Sequence, residues 1–133
     1  MASPAVSEVY VTDASDRYHA VQALWSEVAP PVEDREVAVK ANFNSDDPFP
    51  ATTHPDTLEA ILGEILDAGA RRVRIAERSG VGETEVVLAR RCVTGVAERA
   101  GAEVVVLDSL SRAGWEAIPS TGLHWERGFL GSR

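Results

Sequence analysis

Lys40 and Asn42 close a short apolar run, Val37-Ala38-Val39, and no residues in the chain carry a sharper chemical signal. Read as a strand, the run puts Lys40 and Asn42 on one face with Ala38, opposite Val37, Val39 and Ala41. A loop rich in Asn, Asp, Pro and Thr follows, and a helix opens at Pro55. Backbone N–H groups at a helix start lack intrahelical partners, and the helix dipole favours negative charge there. An ammonium and an amide delivered beside such a start could hold a phosphate or a carboxylate. A lysine inside a central strand is costly to bury unless it is paired. The plain alternative is an ion pair with Glu77 or Asp108, at the end of a neighbouring strand.

Four more residues join this candidate site. Thr52 and Thr53 could offer hydroxyl and N–H groups to an anion, although capping of the next helix alone accounts for Thr53. Asn42 could instead bond its own loop backbone. Ser79 and Gly80, in Ser79-Gly80-Val81-Gly82, precede a helix as phosphate loops do, but the spacing fits neither the dinucleotide fingerprint nor the P-loop, and an ordinary turn also explains them. The expected ligand-binding set is therefore Lys40, Asn42, Thr52, Thr53, Ser79 and Gly80. No catalytic residue emerges, because nothing brings a Ser–His–Asp or Cys–His arrangement together. Asp46, Asp47 and His54 share a loop without metal-ligand spacing, so no metal site is expected. His19 reads as solvated, His124 as packed beside Trp125, and Cys92 as a small core or boundary residue.

The elements that must position these groups can be read from periodicity. Residues 8–12 alternate Val9 and Val11 with polar neighbours, the pattern of a first strand. Asp13 and Ser15 are candidate caps for a helix from 16 to about 28, ended by Pro30-Pro31. A second strand spans 37–41. Thr53 and Asp56 resemble a capping box, with Pro55 in the first turn. Leu58, Ile61, Leu62, Ile65 and Leu66 then form one apolar helix face, and Gly69 stops it. A third strand covers 72–77. A helix runs from about 83 to 100, with Gly95 as a weak point, and a fourth strand, 103–108, has the composition of a strand covered on both faces. Ala68-Gly69-Ala70 and Ala100-Gly101-Ala102 each lead into a strand with an acidic end, a short internal echo. Alternating strands and helices imply parallel pairing. The expectation is a single α/β domain over 1–133, a small three-layer sandwich with a mostly parallel sheet, Rossmann-like. Ligands of such sheets sit outside the strands' carboxyl ends.

The balance of 13 basic against 21 acidic residues, a net charge of -8, argues against a nucleic-acid surface and against a polybasic membrane patch. The clusters at Arg71-Arg72-Arg74 and Arg90-Arg91 read as solvated charge. One cysteine permits no disulfide within the chain and no iron–sulfur cluster. With no apolar run of spanning length and no secretory pattern at the start, a cytoplasmic protein is expected.

Four motifs resemble one known family, domain of unknown function 362. They are Val39-Lys40-Ala41-Asn42, Thr52-Thr53-His54-Pro55, Ala68-Gly69-Ala70 before a strand, and His124-Trp125-Glu126-Arg127-Gly128-Phe129. The resemblance runs from about residue 37 to 130. It implies that the family's lysine and asparagine are Lys40 and Asn42, and its threonine pair Thr52 and Thr53; His54 replaces an acidic residue. The cysteine runs of many members are missing, so no cluster-binding role carries over. The family's second half, with its lysine–threonine–histidine motif, is not found in this sequence, which suggests a split or truncated version.

Together these readings point to an uncharacterised domain that binds a small anion in one half of an enzyme-like site, completed by a second subunit or a second copy. The alternatives are a non-catalytic interaction module using the aromatic stretch from Trp115 to Phe129, and a remnant with no independent activity.

Overall fold

Val37 and Val39, and Val73 and Ile75, alternate with polar or small residues, so each segment can bury one face and solvate the other, while Val104-Val105-Val106 is apolar throughout. In the computed structural model, which describes residues 7–115, these segments form three strands. The order is α1 (Arg17–Val28), β1 (Glu36–Val39), α2 (Pro55–Asp67), β2 (Arg72–Glu77), α3 (Thr84–Arg90), α4 (Val93–Ala100) and β3 (Glu103–Val106), then two 3-10 turns at Leu107–Ser109 and Arg112–Gly114. The sheet order is β1-β2-β3, and both pairs are parallel, with Val37 beside Val73 and Ile75 beside Val104. The expected α/β fold with a parallel sheet is thus what forms.

The core lies between the inner sheet face and the helices. Leu58, Leu62 and Ile65 of α2 meet Val73 and Ile75, joined by Phe43, Val87, Leu88, Val93, Val96 and Ala97. Among the described residues the helices cover this face alone, so two layers form there where three were expected, because the opposite face is charged and offers a helix little apolar surface to bury. The other face carries Arg72, Arg74, Glu36 and Glu103 as a ladder: Arg72 forks onto Glu103 at 2.9 and 2.7 Å, and Arg74 bridges to Glu36 at 2.8 Å. The basic cluster of β2 is therefore paired across the sheet. Arg74 holds the Glu36 carboxyl below its ordinary value, and Arg72 does the same for Glu103.

Local readings are corrected in four places. Residues 8–12 form no strand; nothing hydrogen-bonds to their backbone among the described residues, and alternation alone cannot make a ladder. Asp16, and not Asp13 or Ser15, caps α1, accepting from the His19 N–H at 3.1 Å. His54 caps α2, its Nδ1 accepting from the Asp56 N–H at 3.2 Å, while Thr53 is engaged elsewhere. The helix expected over 83–100 breaks at Cys92, which takes φ 60, and Gly95 stays helical. The break has a packing reason. In one continuous helix Leu88 and Val93 would point about 140° apart. Interrupted at Cys92, both are buried in the same core, at 1% and 0% exposure. His124, Trp125 and Phe129 lie outside the described residues; Trp115 is exposed.

Candidate functional site

The carboxyl ends of the strands are tied together by one buried carboxylate. Period-two alternation places Glu77 on the same face as Val73 and Ile75, so its side chain enters the protein at 1% exposure. Three donors meet it there. The Phe43 N–H reaches Oε2 at 3.2 Å, the Arg78 N–H reaches Oε1 at 2.8 Å, and Lys40 Nζ sits 2.6 Å from Oε1. A buried carboxylate is tolerated when paired and hydrogen-bonded in this way.

Lys40 is the outer member of that pair. It follows β1, an edge strand among the described residues, so it is not a lysine inside a central strand. Its side chain is 60% exposed. Nζ also donates to the Ala41 carbonyl at 2.7 Å, which engages two of its three N–H groups. The ammonium is thus held at the rim of the sheet and remains open to solvent.

Of the other expected ligand-binding residues, Asn42, Thr52 and Thr53 close the loop after β1 on itself, and Ser79 and Gly80 pin it to the loop after β2. Asn42 and Thr53 form a reciprocal pair: the Asn42 N–H donates to Thr53 Oγ1 at 3.0 Å and the Thr53 N–H to the Asn42 carbonyl at 2.9 Å. The Asn42 amide donates to the Ala51 carbonyl at 3.1 Å, and the buried Thr52 hydroxyl to the Asp47 carbonyl at 2.8 Å. Ser79, also buried, donates its hydroxyl to the Phe43 carbonyl at 2.7 Å. The Gly80 N–H donates to the Asn44 side chain at 3.0 Å and to its carbonyl at 3.1 Å. A Cβ on Gly80 would fall 2.3 Å from Asn44 Oδ1, so a larger residue there would push the Asn44 side chain out of its present bond. The structure brings all six residues to one end of the sheet, with the polar groups of five engaged in bonds within or between the loops there.

Beyond them the rim is charged. Arg78, 67% exposed, pairs with Asp108 at 2.9 Å. Asp108 also accepts from the Thr84 hydroxyl, which in turn accepts from the Ser79 N–H at 2.9 Å. A shallow groove of about 320 Å³ runs past Asp108, lined by Glu83, Thr84, Glu85 and Ser109 among others, and its acidic wall disfavours an anion. On the far side Arg90 pairs with Asp46, holding that carboxyl below its ordinary value, and Arg91 donates to the Asp46 carbonyl at 3.3 Å. Among the described residues no group of three His, Cys, Asp or Glu is placed to hold a metal ion, and no helix is long and apolar enough to cross a membrane.

Sequence reasoning named Glu77 as a possible partner of Lys40 and missed its part as the hub of the site. The signal was present, since an acidic residue continuing the inward register of Val73 and Ile75 must enter the core. The parts of Asn44 and Phe43 depend on where two distant loops meet, and no local pattern announces them.

No curated protein and no solved structure matches the chain. A family model does, and its span starts within β1, takes in the loop from Lys40 to His54, and continues through the Ser79-Gly80 turn and β3. That model, described as Domain of unknown function (DUF362), matches residues 37–132, and the chain belongs to this family.

Proposed function

We propose that the carboxyl end of the sheet binds a small anionic ligand, a phosphate or a carboxylate, as part of an enzyme-like site completed by a second subunit or second copy. One observation carries the reading: Lys40 offers an ammonium that is anchored to a buried carboxylate yet 60% exposed at the rim. An ammonium fixed in place before the ligand arrives loses less side-chain entropy on binding. Lys40 is the contacting group, and its anchor Glu77 Oε1 is shared with the backbone N–H of Arg78. Asn42, Thr52, Thr53, Ser79 and Gly80 act mainly by holding the loops, since their groups are already bonded.

Titration calorimetry with inorganic phosphate and with small carboxylates, on wild type and Lys40→Ala, tests this. The expected outcome is binding by wild type that weakens at least tenfold in the variant, about 1.4 kcal/mol. Equal binding by both proteins, or none by either, removes the reading.

A further inference from the structure

Three surfaces are wholly or partly unpartnered among the described residues. The first is residues 8–12, Glu-Val-Tyr-Val-Thr, which have strand composition but no backbone hydrogen bond to any other described residue. Val9 and Val11 are 83% and 88% exposed, and the segment's one side-chain bond is local, Tyr10 Oη to Glu8 at 2.8 Å. The second is the outer edge of β1, which has no neighbouring strand among the described residues. The third is an apolar stripe on α1. Val21, Leu24 and Val28 recur at helical spacing; the first two are half-buried and Val28 is 58% exposed.

Helix α2 packs against α1 and α4, and α4 packs on β3, so α1 falls toward the β1 side of the helical layer. Trp25 of α1 already packs on the core, as do Val37 and Val39 of β1. A strand added beside β1 would turn alternate residues toward that stripe. Residues 8–12 fit the slot in pattern and in length. Val9 and Val11 would face the helical layer, and Glu8, Tyr10 and Thr12 the charged outer face. Five residues extend about 17 Å, enough to run the whole of the four-residue β1.

We propose that residues 8–12 of one copy add as a parallel strand to the β1 edge of a second copy, and reciprocally, giving a two-fold strand-exchanged dimer. The second copy is favoured because within one chain the segment stands off its own sheet, although only the short turn at Asp13 and Ser15 separates it from α1. An exposed, unpaired strand sequence is a template for another chain. Reciprocity brings two strands, two β1 edges and two α1 stripes into one contact, which lets so short a segment approach the roughly 1,200 Å² at the lower end of stable interfaces.

Sedimentation over a range of concentrations, with hydrogen–deuterium exchange of the same full chain, tests the proposal. A dimer with slowed exchange at residues 9–11 is expected. The double variant Val9→Asp, Val11→Asp alters only exposed side chains, and circular dichroism checks its fold. It should weaken dimerisation at least tenfold and restore fast exchange. A monomer at every concentration overturns the proposal, whether exchange is slow, as for docking on the segment's own sheet, or fast. So does a dimer that the double variant leaves intact.

Discussion

Glu77→Ala is the most informative single perturbation, because it separates a hub from an ornament. The substitution removes the acceptor of the Phe43 and Arg78 N–H groups and the counter-charge of Lys40. Phe43 is fully buried, so water cannot replace the bond to its N–H. An orphaned buried donor costs about 1–3 kcal/mol, and a hydrogen bond to a charged group contributes about 1.5–3 kcal/mol. The Lys40 pair adds less, since that side chain is 60% exposed and its charge can be solvated. The expected loss is about 3–5 kcal/mol, within the range seen when a buried charge network loses a member. Lys40→Ala leaves both backbone donors on Glu77 and opens the carboxylate to water, so its expected cost is about 1–2 kcal/mol. Urea unfolding followed by circular dichroism measures both. The double variant should cost about 1 kcal/mol less than the sum of the two, because the ion pair is lost only once. If Glu77→Ala costs under about 1 kcal/mol, or less than Lys40→Ala, the carboxylate does not organise this end of the sheet.

Two further expectations follow from the same geometry. Gly80→Ala forces the Asn44 side chain to yield, because its Oδ1 lies 2.3 Å from the new Cβ and also accepts the Gly80 N–H; a loss of about 1–2 kcal/mol in urea is expected, and an unchanged midpoint would contradict the docked-loop account. Acid should destabilise the fold. Hydrogen bonds from Arg74, Arg90, Arg99 and Arg72 hold Glu36, Asp46, Glu59 and Glu103 below their ordinary values. For depressed carboxylates the contribution is present above the unfolded value and is lost as pH falls through the folded one. Tm should therefore stay level from about pH 7 to 5 and decline below about pH 4, and a Tm level down to about pH 3 would mean that these pairs add nothing.

How much of this could be read from the chain differs by element. The apolar face of α2 was legible because Leu58, Leu62 and Ile65 repeat at helical spacing whatever surrounds them. Gly69 and Gly101 marked helix ends because each takes a positive φ that other residues rarely adopt, 83° and 78°. Residues 8–12 carried a valid strand pattern, yet a strand is completed only by a neighbour.

The sequence by itself determined the α/β alternation, the parallel sense of the sheet, the turns, and the gathering of Lys40, Asn42, Thr52, Thr53, Ser79 and Gly80 at the strands' carboxyl ends. Those follow from local periodicity and short connections, which act over a few residues. Only the tertiary structure decided which polar groups meet. It put Glu77 under Lys40, and Asn44 against Gly80, across separations of more than thirty residues. It also broke the helix at Cys92 so that two short segments share one core. Burial and hydrogen-bond satisfaction are properties of the assembled chain, and they settle contacts to which local pattern is indifferent.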